Sequence, residues 1–195
     1  MEELTLLGER AVQAKYELQR MTTEKKNEVL EAVAEALIQN TEYLLLENQK
    51  DLERGIANQM NPGLVDRLRL TKERIAGMAE GIRQIVKLPD PVGEILDDYE
   101  AENGLHIVKK RVPMGVIGII YESRPNVTAD AFGLCFKSGS AVILKGGSDA
   151  IRSNMAITKV IQDAVVRKGV DPYVIQLIES TDRSVVNEFM KMKQY

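Results

Sequence analysis

Two short stretches of this 195-residue sequence carry the residue types from which chemistry is built. The first is Tyr121-Glu122-Ser123-Arg124-Pro125-Asn126-Val127-Thr128. Pro125 fixes its own φ and biases Arg124 away from helix, so the segment reads as a stiff turn entering a helix. There the Asn126 amide can offer N–H to a developing oxyanion, and Arg124 can hold a carboxylate or phosphate. A plainer reading has Asn126 and Thr128 capping the helix and Arg124 solvated. The second stretch is Leu144-Lys145-Gly146-Gly147-Ser148-Asp149. Gly146 and Gly147 let the backbone approach a ligand, and Lys145 can meet a phosphate or a ribose hydroxyl. Ser148 and Asp149 can cap the next helix, whose N-terminus attracts anions. The stretch is also compatible with an ordinary β-to-α turn. Neither a Gly-x-Gly-x-x-Gly fingerprint nor a P-loop is present.

Other reactive side chains are scarce. Cys135 is the only thiol, and its spacing from Ala131, Leu134 and Ser138 places it on a buried helical stripe rather than in a nucleophile's setting. His106 is the only histidine and stands between Leu105 and Ile107, with no carboxylate or thiol partner readable nearby. One Cys and one His exclude a disulfide framework and any metal site built on several imidazoles.

The composition is that of a globular protein, with 44% hydrophobic and 28% charged residues and a net charge of −3. No apolar run approaches the ~18 residues needed to span a bilayer, and an acidic Met1-Glu2-Glu3 start is unlike a signal peptide. A cytoplasmic protein is expected, without a membrane partner. Charge is uneven: residues 1–100 carry −7 and residues 101–195 carry +4. The mildly basic second half suits a small polyanion such as a nucleotide. It has no dense Lys/Arg stripe and few aromatics, so no nucleic-acid partner is expected.

The elements that must position the two stretches fall into three regions. Residues 1–90 read as amphipathic helices. One stripe runs Leu4, Leu7, Ala11, Ala14, Leu18, Met21, and a second Val29, Leu30, Val33, Leu37, Ile38. Thr22 or Thr23, then Asn40 or Thr41, then Thr71 are the expected caps, with Pro62-Gly63 breaking the chain and Pro89-Asp90-Pro91 ending the last helix. Residues 91–112 alternate around Asn103-Gly104 and predict a partly exposed two-stranded ribbon that needs a further strand or a partner chain. Residues 113–195 repeat strand and helix three times. Val116–Tyr121 reads as a buried parallel strand, Ala129–Lys137 as helix, Ala141–Leu144 as strand, Ala150–Arg167 as helix, Val174–Ile178 as strand and Ser184–Lys191 as helix. The fold class is therefore α/β: helices and a β-ribbon leading into a partial doubly wound parallel sheet. In such sheets ligands bind outside the carboxyl ends of the strands, which is where both stretches lie.

The run from Val112 to Thr128, with its Tyr-Glu-Ser-Arg-Pro-Asn segment, closely resembles the gamma-glutamyl phosphate reductase family of the aldehyde dehydrogenase superfamily. Ser138–Ser148, the pieces around Gln176-Leu177-Ile178 and Asp182-Arg183, and more loosely Asn48, Asp51 and Asp66-Arg67-Leu68-Arg69-Leu70, resemble it too. The resemblance implies NADPH-dependent reduction of L-glutamyl 5-phosphate to glutamate 5-semialdehyde with release of phosphate, the second step of proline biosynthesis. It implies a Cys thiolate that forms a thioester, which hydride then reduces. By position it makes Asn126 the oxyanion-hole amide and Lys145, with Gly146, Gly147 and Ser148, the NADPH-binding strand end. Ser123 and Arg124 become candidates for holding the acyl phosphate or the glutamate carboxylate. Residues 1–90 then form the helical part of the cofactor domain, 91–112 the hairpin of an oligomerisation sheet, and 113–195 a partial NADP-binding domain. A homo-oligomer is expected of the full-length form.

Two departures stand out. The stretch between Asn126 and Lys145 is about one helical turn shorter than in typical aldehyde dehydrogenases. The family is also considerably longer, with its nucleophilic Cys beyond the position of Tyr195, and Cys135 does not match that motif. The expectation is an amino-terminal fragment without reductase turnover. The alternatives are another acylating aldehyde dehydrogenase, a nucleotide-binding module without chemistry, or an interaction protein.

Overall fold

The computed structural model describes residues 2–195. Helices α1 (Glu2–Leu18), α2 (Thr23–Gln39), α3 (Thr41–Ala57), α4 (Pro62–Leu68) and α5 (Lys72–Lys87) come first. Two expected caps form: Thr22 accepts from the Lys25 N–H and Thr71 from the Arg74 N–H. Between α2 and α3 neither Asn40 nor Thr41 caps forward. Asn40 Nδ2 donates to Ala36 O and Thr41 Oγ1 to Ile38 O, closing the helix behind instead. Pro62 does not break the chain. It sits in the first turn of α4, where its missing N–H has no helical partner to lose, and Asn61 caps that helix through the Gly63 N–H. Ile38, expected on the buried stripe of α2, is exposed.

Strands β1 (Ile95–Glu100) and β2 (His106–Lys110) form the expected antiparallel ribbon. Its ladder ends where Glu100 meets His106, leaving 101–105 as the loop. Every residue of both strands is exposed. His106 does have a carboxylate partner: its Nε2 lies 2.5 Å from Asp98 Oδ1, diagonally across the ribbon. That pairing depends on strand register, which a reading along the chain does not display.

Three strands build the parallel sheet in the order β3-β4-β5: β3 (Val116–Ile120), β4 (Ala141–Lys145) and β5 (Ile175–Leu177). The crossovers are α6 (Asn126–Lys137) and α7 (Ile151–Arg167), and α8 (Ser184–Met190) follows β5. All of β4 is buried, with α1 and α6 packed on it, while α7 packs on β5. β3 is not the buried strand its apolar run predicts. It is one of the two edges of the sheet among the described residues, half-exposed, with Ile120 47% accessible. One continuous core runs from Leu4 to Phe189, so the amino-terminal helices and the sheet share a single interior. Within it Phe189 presses on Gly118 of β3, where any side chain would collide with the ring.

Candidate functional site

Register determines the site. Ile120 lies opposite Lys145, and the Tyr121 N–H extends the pairing by donating to Lys145 O at 3.1 Å. The turns that follow β3 and β4 therefore leave the sheet side by side. Between them is a cavity of about 410 Å³ lined by Ser123, Arg124, Lys145, Gly146, Gly147 and Ser148. Six of the seven sequence-derived candidates thus converge. Asn126 lines an adjoining cavity of about 350 Å³.

Lys145 is the unusual group. Its side chain is 6% exposed, and its Nζ donates to Gly146 O at 2.9 Å. Among the described residues no carboxylate lies within ion-pair distance of it. Burial pulls its pKa below the ordinary lysine value. A buried ammonium with one neutral acceptor is short of partners by two N–H bonds and a charge, which an anionic or hydroxyl-bearing ligand can supply.

The glycines serve a different end from the one their sequence suggests. A Cβ on Gly146 would run into Asn154 Nδ2 and the Tyr121 ring, and one on Gly147 would crowd Ser123 Oγ at 3.2 Å. The space left open is filled by the protein's own side chains. Behind it Tyr121 OH meets Thr128 Oγ1 at 2.7 Å, and Thr128 Oγ1 meets Asn154 Oδ1 at 3.2 Å. Burial pushes the Tyr121 hydroxyl up to about 12, so it stays a neutral donor. Ser123 Oγ donates to Asp149 Oδ2 at 3.1 Å, tying the two turns together.

Ser148 and Asp149 do not cap α7 with their side chains. Asp51, from α3, accepts from the Ser153 N–H at 2.8 Å, the Ser153 hydroxyl at 2.7 Å and the Arg152 N–H at 3.3 Å. A carboxylate of the chain itself thus occupies the helix N-terminus expected to attract an anion. Asn126 is the first residue of α6 and forms no cap either. Its Nδ2 donates to Asp130 Oδ2 at 3.2 Å. Burial pushes the Asp130 carboxyl up, and the bond from Asn126 only partly counters this.

Arg67 and Arg124 line both cavities, and Thr181 and Arg183 close the far side of the Lys145 cavity. Neither Arg67 nor Arg183 stands out by local spacing. Each lies in a fragment, Asp66–Leu70 or Asp182-Arg183, that only the family resemblance marks. Cys135 is buried, and burial pushes its thiol up to about 11, which removes it as a nucleophile. Leu134, its expected neighbour on the stripe, is exposed.

The model of the aldehyde dehydrogenase family matches residues 2–195. The chain is 49% identical over 195 residues to the gamma-glutamyl phosphate reductase of Clostridium botulinum strain Eklund 17B, covering all of this chain and 47% of that protein. It is 53% identical to the protein of the same name from Lachnospira eligens, again over all of this chain and 47% of the relative. The crystal structure of gamma-glutamyl phosphate reductase from Thermotoga maritima superposes with a TM-score of 0.96 at 39% identity, covering 99% of this chain and 47% of that one. An acetylating aldehyde dehydrogenase from Geobacillus thermoglucosidasius shares the fold, with a TM-score of 0.75 at 18% identity over 98% of this chain and 40% of that one. The chain therefore spans about half the length of the relatives it matches.

Proposed function

The chain belongs to the aldehyde dehydrogenase family, and on that premise we propose that it is the amino-terminal, cofactor-holding part of a gamma-glutamyl phosphate reductase. That activity is the reduction of L-glutamyl 5-phosphate by NADPH in the cytoplasm, in proline biosynthesis. The relatives' names and the Thermotoga maritima superposition support this reading over another acylating aldehyde dehydrogenase, whose likeness reaches only the fold. The observation that carries it is Lys145, a buried cation without a carboxylate at the carboxyl end of the sheet.

The residues present fit a nicotinamide dinucleotide. Lys145 would donate to ribose hydroxyls or phosphate, and the backbone of Gly146 to Ser148 would form the floor beneath them. NADPH supplies hydride when bound. Arg124, with Ser123 beside it, would hold the phosphate or carboxylate of the substrate. Asn126, once turned from Asp130, would donate its amide N–H to the acyl oxygen. Cys135 offers no thiolate, so the 195-residue chain would bind cofactor without turning over substrate. The exposed apolar residues Ile95, Leu96, Tyr99, Ile107 and Val108 of the ribbon support its role as the strand pair that joins copies of the full-length protein.

The test is a fluorescence titration of NADPH into the chain and into Lys145→Ala. Saturable binding that weakens roughly tenfold or more in the variant is expected, since hydrogen bonds from a charged donor are lost. Equal affinity in the two proteins would remove Lys145 from the cofactor site.

A further inference from the structure

The cavity of about 350 Å³ that adjoins the Lys145 cavity carries an uneven set of charges. Among its lining residues Asp66 and Arg74 pair with each other at 3.1 Å. Arg67, Arg69 and Arg124 also line it, and none of them is in an ion pair among the described residues. The remaining charged lining residue is Asp130, one turn beyond Asn126 on α6, and it too has no ion-pair partner there. Asp130 is half-buried, so its carboxylate is sheltered yet within reach of a molecule in the cavity. It rests against Gly81 of α5, and the donor that meets it is Asn126 Nδ2 at 3.2 Å. Burial pushes its carboxyl up, and no cation counters that rise. A sheltered carboxylate answered by one neutral amide is short of a charged donor.

Unpaired guanidinium groups around one unpaired carboxylate select a molecule with one ammonium and more than one anionic group. A dicarboxylate or a phosphate ester without an amine would satisfy the arginines and leave Asp130 unanswered. L-Glutamyl 5-phosphate has the required pattern: an α-ammonium, an α-carboxylate and an acyl phosphate. We propose that Asp130 is the specificity-determining residue that binds the substrate's α-ammonium, with Arg124 of the same cavity taking the α-carboxylate. The site rests on the reductase reading given above, and it holds the end of that substrate remote from the reacting carbon. An ammonium is a stronger donor to a carboxylate than a neutral amide is. Its arrival displaces Asn126 Nδ2 from Asp130 and frees that amide for the acyl oxygen. Recognition of the amine and release of the oxyanion donor are then one event.

Calorimetric titration of the chain with L-glutamate, glutarate and N-acetyl-L-glutamate tests the proposal. Glutarate lacks the amine, and N-acetylation removes the amine's charge. L-Glutamate should bind saturably, and the other two roughly tenfold or more weakly, because each loses a charge-assisted bond. Asp130→Asn should bring L-glutamate down to the glutarate level while glutarate itself changes little. A merely structural role for Asp130 would instead weaken every ligand alike and leave the preference for the amine in place. The ligand comparison is made on the unaltered chain, so it decides the matter even if Asp130→Asn does not fold. Absence of saturable L-glutamate binding overturns the proposal. So does equal binding by glutarate, or an Asp130→Asn chain that keeps the preference. The NADPH titration reads the cofactor site separately: a chain that binds NADPH but does not distinguish L-glutamate from glutarate loses only the role given to Asp130.

Discussion

Lys26 on α2 and Lys145 at the end of β4 are both nearly excluded from solvent, 1% and 6% exposed, yet their surroundings are opposite. Lys26 Nζ meets Asp90 Oδ2 at 2.8 Å, and that carboxylate also accepts from Thr23 Oγ1 at 3.0 Å and the Val92 N–H at 2.9 Å. Lys137, close by, is likewise satisfied by Asn27 Oδ1 and Val86 O. The counter-charge for Lys26 comes from within the fold, and the region ties α2 to the Pro89-Asp90-Pro91 turn and α6 to α2 and α5. Lys145 has only the carbonyl of its own neighbour. Burial alone therefore does not separate structural cations from functional ones; what separates them is what the fold supplies in return. That is a carboxylate for Lys26, two neutral acceptors from other helices for Lys137, and a single carbonyl of the next residue for Lys145.

The largest effect that sharpens this contrast should come from Asp90→Ala. It leaves Lys26 buried and unpaired, and urea unfolding should show a loss of roughly 3–5 kcal/mol. Burial pushes the Asp90 carboxyl up, but the bonds from Lys26, Val92 and Thr23 outweigh it and hold the pKa below the ordinary 3.8. The contribution should thus be complete above that value and be lost as pH falls through the lower folded one. A loss under 1 kcal/mol would make the Lys26 cluster no more than a surface pair.

Lys145→Met should move stability the other way, raising it by roughly 1 kcal/mol, because an uncompensated buried charge is replaced by a side chain of similar length. The folded pKa of Lys145 lies below its unfolded value, so the unfolded chain binds the extra proton between the two. Wild-type stability should accordingly rise with pH through that window, and the rise should vanish in Lys145→Met. A destabilised variant would mean that Lys145 is structural, and the contrast with Lys26 would collapse. The smallest effect belongs to Asp98→Asn on the exposed ribbon. Its pairing with His106 is solvent-screened, and the change should stay within about 0.5 kcal/mol.

The strand and helix alternation from Val116 onward is legible because short apolar runs such as Ala141–Leu144 are followed by Gly146-Gly147, residues that favour a turn over a longer strand. The two turns of the site are legible for the same reason. What escapes a linear reading is whatever depends on partners distant along the chain. Asp51 reaches Ser153 across about a hundred residues to cap α7. Asn154 and Tyr121 consume the room beside Gly146. The run Val116–Ile120 is apolar enough for a buried strand, yet β3 is half-exposed at an edge of the sheet among the described residues, because its burial depends on which elements pack beside it and not on its own composition. Pro62 shows a local rule applied in the wrong half: proline ends a helix interior but starts a helix at its first turn.

The most direct test of the Lys145 site is to follow the backbone amide resonances of the chain while NADPH is added. The expected result is a set of shifts confined to Tyr121–Arg124 and Lys145–Asp149, absent in Lys145→Met although that variant stays folded. Shifts centred elsewhere, or the same shifts in Lys145→Met, would contradict the assignment of the strand-end cavity as the cofactor site.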